Sequence, residues 1–199
     1  MNLPNKLTVA RIILTPIFLI TLMVDFPFHY GVSLIIFIVA SITDLLDGKI
    51  ARKRGLVTDF GKFLDPLADK MLTTAAFIGL MHKGIGAGIE WILFIVLFRE
   101  FAVSSVRLVA ASSGGKVIAA NIWGKLKTVF QMIAVIFALA AQELLHVLLF
   151  FNLSENVIGI VWTIVSVATT LLLWISAALC VISGVIYLAD NKDFIKEAK

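Results

Sequence analysis

The chain has 199 residues, enough for one domain, with 60% hydrophobic side chains, 15% charged and a net charge of +4. That balance excludes an ordinary soluble globular protein, and apolar runs that are continuous instead of alternating exclude a transmembrane barrel. The cations are grouped by loop, so the positive charge is no nucleic-acid footprint, and a single cysteine, Cys180, excludes an intrachain disulfide.

The expected fold is an all-α integral membrane protein of six transmembrane helices forming one domain, residues 1–199. A short interfacial segment precedes the first span; no small-residue cleavage site follows it, so it does not read as a signal peptide. The first span covers Leu7 to about Phe26, with Pro16 expected to kink it. Asp25 to Gly31 is a turn, and Val32 to Asp47 forms the second span. A sharp, Gly- and Arg-rich turn follows, and the helix restarts at Asp65-Pro66 because proline suits a first helical turn. That third span runs to Met81, and His82 to Glu90 is the next turn. Trp91 to Ala111 makes the fourth span, broken by Ser112 to Lys116, and Asn121 to Leu139 the fifth. Residues Gln142 to Asn156 are apolar but carry Glu143, His146 and Glu155, and read ambiguously. The final run, Asn156 to Ala189, is longer than the ~30 Å hydrocarbon core requires and counts as one span, with a break and a seventh span as the alternative.

With six spans, every Lys and Arg except Lys70, Lys83 and Arg99 falls on one side of the membrane. The excess of cations in cytoplasmic loops then places both termini in the cytoplasm, with the protein in the inner membrane.

The most informative stretch is Asp44 to Asp69, DLLDGKIARKRGLVTDFGKFLDPLAD. Asp44 and Asp47 are three residues apart, Asp65 and Asp69 four, so each pair shares a helix face. Four carboxylates brought together by two helix ends repel unless hard cations neutralise them. Oxygen-only ligands favour Mg²⁺ or Mn²⁺ over zinc, and four carboxylates suit two ions that clamp a phosphoryl group. The bland alternative is that these acids cap two helices and balance nearby Lys and Arg.

Asp44, Asp47-Gly48, Ala51-Arg52, Gly61, Asp65 and Asp69 match, position for position, the signature of the CDP-alcohol phosphatidyltransferases, which the chain therefore resembles. The resemblance implies that Asp44, Asp47 and Asp65 hold metal and that Asp69 is the general base, able also to touch a metal. Gly48, Ala51 and Gly61 would let CDP-diacylglycerol approach the backbone, and Arg52 would contact its phosphates, although Arg52 also reads as a cytoplasmic anchor. NKLTVARI (Asn5 to Ile12), REFAVSSVR (Arg99 to Arg107) and NIWGKLKTVFQ (Asn121 to Gln131) are similar to the branch that uses glycerol-3-phosphate and makes phosphatidylglycerol phosphate. Thr8 and Arg11 would then line the nucleotide or head-group side, Arg11 equally serving as an anchor. The resemblance also implies a homodimer.

Glu100, Ser104 and Arg107 share one face of the fourth span. Arg99, Arg107, Lys125 and Lys127 together would form a cationic pocket for the phosphate of glycerol-3-phosphate; structural salt bridges and cytoplasmic anchoring are the competing account. Arg99 and Glu100, being sequence neighbours, are not expected to pair. His29, His82 and His146 fall on the outer side, away from the acids. Other acceptors (serine, inositol phosphate, phosphatidylglycerol) would use the same motif. An ion-coupled transporter would instead want its acids near the bilayer midplane, and a scaffold gives no reason for the fixed spacing.

Overall fold

A computed structural model describes the backbone over 2–54, 59–112, 122–151 and 154–190, and the side chains within those ranges except at 4, 45–54, 59–63, 65–66, 109–112 and 150. Among the described residues the fold is all helical: α1 (Leu3–Met23), α2 (His29–Arg54), α3 (Asp59–His82), α4 (Ile89–Ser112), α5 (Ile122–Phe150) and α6 (Glu155–Asp190). Of these, α1, α5 and α6 are long and apolar enough to cross a membrane, and α2 contributes a shorter apolar stretch, His29–Asp44.

Helix boundaries depart from the sequence expectations at several points. Helix α1 starts at Leu3, so the residues expected to lie at the interface are already helical as they run into the span, and it continues through Pro16. The turn after it is shorter than expected, because His29 to Gly31 already belong to α2. Helix α2 continues past Asp47 to Arg54, so Gly48, Ala51 and Arg52 are helical instead of forming a sharp turn. Lys, Arg and Ala are strong helix formers, and one glycine costs only about 1 kcal/mol against them. Helix α3 starts at Asp59, six residues before Asp65, leaving Pro66 in its interior. The ambiguous stretch after Gln142 resolves into helix as far as Phe150, and α6 follows without internal interruption over 36 residues, roughly 54 Å. The expected break at Ser112 to Lys116 lies, from residue 113 onward, outside the described residues.

Helix α1 packs on α2 and α3, α2 on α5, α3 on α4, and α6 on α4 and α5. One apolar cluster joins them through Phe18, Leu22, Phe37, Phe77, Leu139 and Leu173. Alanines at 40, 68, 75, 76, 134, 138 and 177 are buried among these larger side chains and allow close helix approach. The outward faces keep large apolar groups such as Phe94, Phe98, Trp162 and Leu171 exposed, as lipid contact requires.

The α3–α4 turn is built on glycine. Gly84, Gly86 and Gly88 all have positive φ, at 65°, 92° and 72°, where a side chain is strained by roughly 1–2 kcal/mol. A Cβ on Gly84 would meet nothing within 4 Å, whereas one on Gly86 would lie 2.6 Å from Leu173 Cδ1 of α6. Gly86→Ala should therefore lower the melting temperature in detergent more than Gly84→Ala, by an overpacking increment of about 1–3 kcal/mol. Equal shifts would show that Leu173 yields freely. Nearby, Lys83 Nζ lies 2.5 Å from Asp25 Oδ1 and ties this turn to the one after α1. The ammonium of Lys83 holds the exposed Asp25 carboxyl below its ordinary range.

Candidate active site

Helix α1 carries a polar stripe into the bundle. Asn5, Thr8, Arg11 and Thr15 recur every three or four residues and are all buried. Arg11, only 1% exposed, reaches α2 and sets its Nη1 2.5 Å from Asp44 Oδ1. A guanidinium at that depth is tolerable only beside an anion, so Arg11 is an interior ion-pair partner and not a solvent-facing anchor. Thr8 lies one turn earlier on the same face.

Asp69 and Lys70 sit side by side on α3. Asp69 is within Coulombic reach of Arg11, Lys70, Glu100 and Lys127, side chains from α1, α3, α4 and α5. Arg11 is thus in contact with Asp44 and in electrostatic range of Asp69. The side chains of Asp47, Gly48, Ala51, Arg52, Gly61 and Asp65 lie outside the described residues. Helix backbone carries all six, on the C-terminal part of α2 and the N-terminal part of α3.

Glu100 on α4 is the second centre. Its carboxylate accepts hydrogen bonds from Lys127 of α5 and, at 3.2 Å, from Arg99 Nη1, and it lies 4.0 Å from Lys70 Nζ. Lys70 also donates to Ser104 Oγ, one turn beyond Glu100. Three cations on one carboxylate leave an excess of positive charge beside Asp69. Arg99 and Glu100 pair despite being neighbours, against the expectation from helix geometry. The Arg99 side chain is long enough to turn back once Ser183 Oγ accepts its other terminal nitrogen at 2.8 Å.

Of the four cations expected to form one pocket, Arg99 and Lys127 meet at Glu100. Arg107 places its guanidinium 5.4 Å from the centroid of the Tyr187 ring and within Coulombic reach of Lys70. Lys125 is exposed, while Lys127 is buried. Two residues of helix separate them by about 200°, so they cannot share a face. Lys70, Ser183 and Gln131 are side chains the sequence did not single out. Gln131 follows Lys127 by one turn and is 2% exposed, and its Nε2 has no partner among the described residues. The four-residue step from Lys127 was the available signal. The histidines stay away: His29 packs against Tyr30 and His146 at the start of α2, fifteen residues and roughly 22 Å from Asp44, and His82 is exposed at the end of α3.

Among the described residues no group of three or more His, Cys, Asp or Glu is gathered in a way that could hold a metal ion. The two described acids of the motif, Asp44 and Asp69, are oxygen donors. That donor chemistry fits a hard divalent cation and not zinc.

Comparison with known proteins supplies the context for this geometry. The family model described as CDP-alcohol phosphatidyltransferase matches residues 1–189. A CDP-diacylglycerol–glycerol-3-phosphate 3-phosphatidyltransferase of Bacillus subtilis is 41% identical over 98% of this chain and 97% of its own. The enzyme of the same name from Rickettsia bellii is 36% identical over 97% of both chains. A probable phosphatidylglycerophosphate synthase of Mycobacterium tuberculosis is 40% identical over 73% of this chain and 70% of its own. With its acid signature, a family model matched over residues 1–189 and two near full-length similarities at 36–41% identity, the chain belongs to the CDP-alcohol phosphatidyltransferase family.

Proposed function

We propose that the protein transfers the phosphatidyl group of CDP-diacylglycerol to the sn-1 hydroxyl of glycerol-3-phosphate, giving phosphatidylglycerol phosphate and CMP. The observation that carries the choice of acceptor is the convergence of Lys70, Arg99 and Lys127 on Glu100 beside Asp69. That surplus of cations suits an acceptor that is itself a phosphate ester, and it agrees with the names of the relatives at 36–41% identity.

Members of the family are generally dependent on a divalent metal ion. Here Asp44, Asp47, Asp65 and Asp69 would hold Mg²⁺ or Mn²⁺, two ions in all, and the metal would supply charge neutralisation at the phosphoryl group. The chain's own residues do the rest. Asp69 accepts the proton of the sn-1 hydroxyl as its oxygen bonds to the phosphorus that bears diacylglycerol. The bond from that phosphorus to the CMP oxygen breaks, and CMP leaves. Gly48, Ala51, Arg52, Gly61 and Thr8 bind the nucleotide lipid. Arg99, Arg107 and Lys127 attract the acceptor phosphate, with Arg107 near Lys70, while Lys125, exposed on the opposite face of α5 from Lys127, stays outside that pocket. Arg11 holds the Asp44 carboxylate in place through their ion pair.

On this reading one domain spans the inner membrane six times, with both termini and the acids facing the cytoplasm, where CDP-diacylglycerol presents its head group and glycerol-3-phosphate is dissolved. The grouping of cations by loop supports that orientation. The family resemblance further suggests a homodimer.

Membranes containing the protein, given labelled CDP-diacylglycerol and each alcohol in turn, should form product with glycerol-3-phosphate and not with serine, inositol phosphate or phosphatidylglycerol. Product with one of the others and none with glycerol-3-phosphate would overturn the assignment of the acceptor. Arg107→Ala should raise the KM for glycerol-3-phosphate about tenfold, as expected for one charged hydrogen bond. Its effect on the KM for the lipid should be much smaller. Equal effects on the two would point to a structural role over Tyr187.

A further inference from the structure

Helix α6 is the most apolar of the six and holds none of the signature, yet its C-terminal half supports both arginines of α4. Ser176, Cys180, Ser183, Gly184 and Tyr187 form its buried stripe there. Ser183 Oγ accepts a hydrogen bond from Arg99 Nη2 at 2.8 Å. At Gly184 an added Cβ would lie 2.9 Å from Arg99 Cγ, which is the stem of the side chain and not its mobile tip, so the stem rests on the α6 backbone. One turn on, the Tyr187 ring lies under the Arg107 guanidinium. Arg99 Nε is buried and has no partner among the described residues. Ser183 and Glu100 between them take one terminal nitrogen each, which leaves that donor unused.

We propose that Ser183 and Gly184 are positioning residues that set the Arg99 guanidinium for the acceptor phosphate by sharing it between α6 and Glu100. The inference rests on the acceptor reading above and deepens it. Without the Ser183 hydroxyl, the guanidinium would be drawn wholly toward Glu100, whose carboxylate is the nearest anion. The surplus charge that recruits the phosphate would then be partly cancelled. Without the bare backbone at Gly184, the stem of Arg99 would be displaced, pulling the guanidinium away from Ser183 and Glu100 alike. Neither residue touches substrate in this account; each acts through Arg99.

The test is steady-state kinetics in the same membranes, varying each substrate separately, for the wild type, Ser183→Ala, Ser183→Thr and Gly184→Ala. Ser183→Ala should raise the KM for glycerol-3-phosphate about tenfold, the size of one hydrogen bond to a charged group. The KM for CDP-diacylglycerol and kcat should stay within about twofold, as in a loss of binding that is uniform between ground and transition states. Ser183→Thr, which keeps the hydroxyl, should restore the wild-type KM, and Gly184→Ala should raise it at least as far as Ser183→Ala. A Ser183→Ala enzyme with both KM values unchanged, or with both raised equally, overturns the proposal. So does a Ser183→Thr enzyme no better than Ser183→Ala. If Gly184→Ala fails to fold, the two Ser183 variants still decide. A wild type that uses another alcohol and not glycerol-3-phosphate would refute the acceptor reading instead, and the control arm shows this before any variant is compared.

Discussion

Asp69→Asn should lower turnover by about 10²–10⁴-fold, the usual share of a positioned general base, while the protein still folds and still binds CDP-diacylglycerol. The carboxamide keeps the size of the side chain and removes its ability to accept the hydroxyl proton. Asp69 lies amid Arg11, Lys70 and Lys127, so losing its charge leaves cations that Asp44 and Glu100 still balance in part. Stability should therefore fall less than activity. Turnover measured with saturating substrates, alongside binding of the nucleotide lipid, separates the two effects. Near wild-type turnover would remove Asp69 as the base.

Glu100→Gln should have the largest effect on stability of any single change in the site. Lys127 and Arg99 are largely buried, and both depend on this carboxylate. Removing one partner of a buried ion pair costs about 3–5 kcal/mol, because it leaves an uncompensated charge. Lys70, a third exposed, can recover some hydration and holds the effect toward the lower end. The expected melting shift is roughly 10 °C for a chain of this size. The double variant Glu100→Gln with Lys127→Met should recover part of the loss, since two members of the pair are then gone together. A double variant as unstable as the sum of its singles would show that the pair is not coupled.

Helix number and order were legible because apolar runs of sufficient length are hard to misread, and the charge-free run counted as one span, with a break as the alternative, is one unbroken α6 that contains no proline. The ends were less legible. Gly48 and the cluster after it resembled a turn, yet the backbone stays helical to Arg54, since a lone glycine does not stop a helix rich in Lys and Arg. Pro66 pointed to a helix start, and a proline signal of that kind cannot tell a first turn from an interior tolerated by tertiary packing. For the site, the spacing of the acids identified the family outright. What spacing could not give is which long side chains meet across helices. Lys70 reads as an isolated cation within a span until α4 brings Ser104 and Glu100 beside it. Ser183 reads as one small residue among many until Arg99 reaches it. Lys125 and Lys127 look like a pair in the sequence and point to opposite faces of α5 on the helix.

On the proposed mechanism the acceptor hydroxyl attacks the phosphorus bearing diacylglycerol and not the one bearing cytidine. Glycerol-3-phosphate carrying ¹⁸O in its sn-1 hydroxyl, reacted with CDP-diacylglycerol by the purified protein, tests it by mass spectrometry of both products. The label should appear in the phosphatidylglycerol phosphate, with CMP free of it. Label in a cytidylyl ester of the acceptor, with phosphatidic acid released, would place the attack on the other phosphorus and contradict the account.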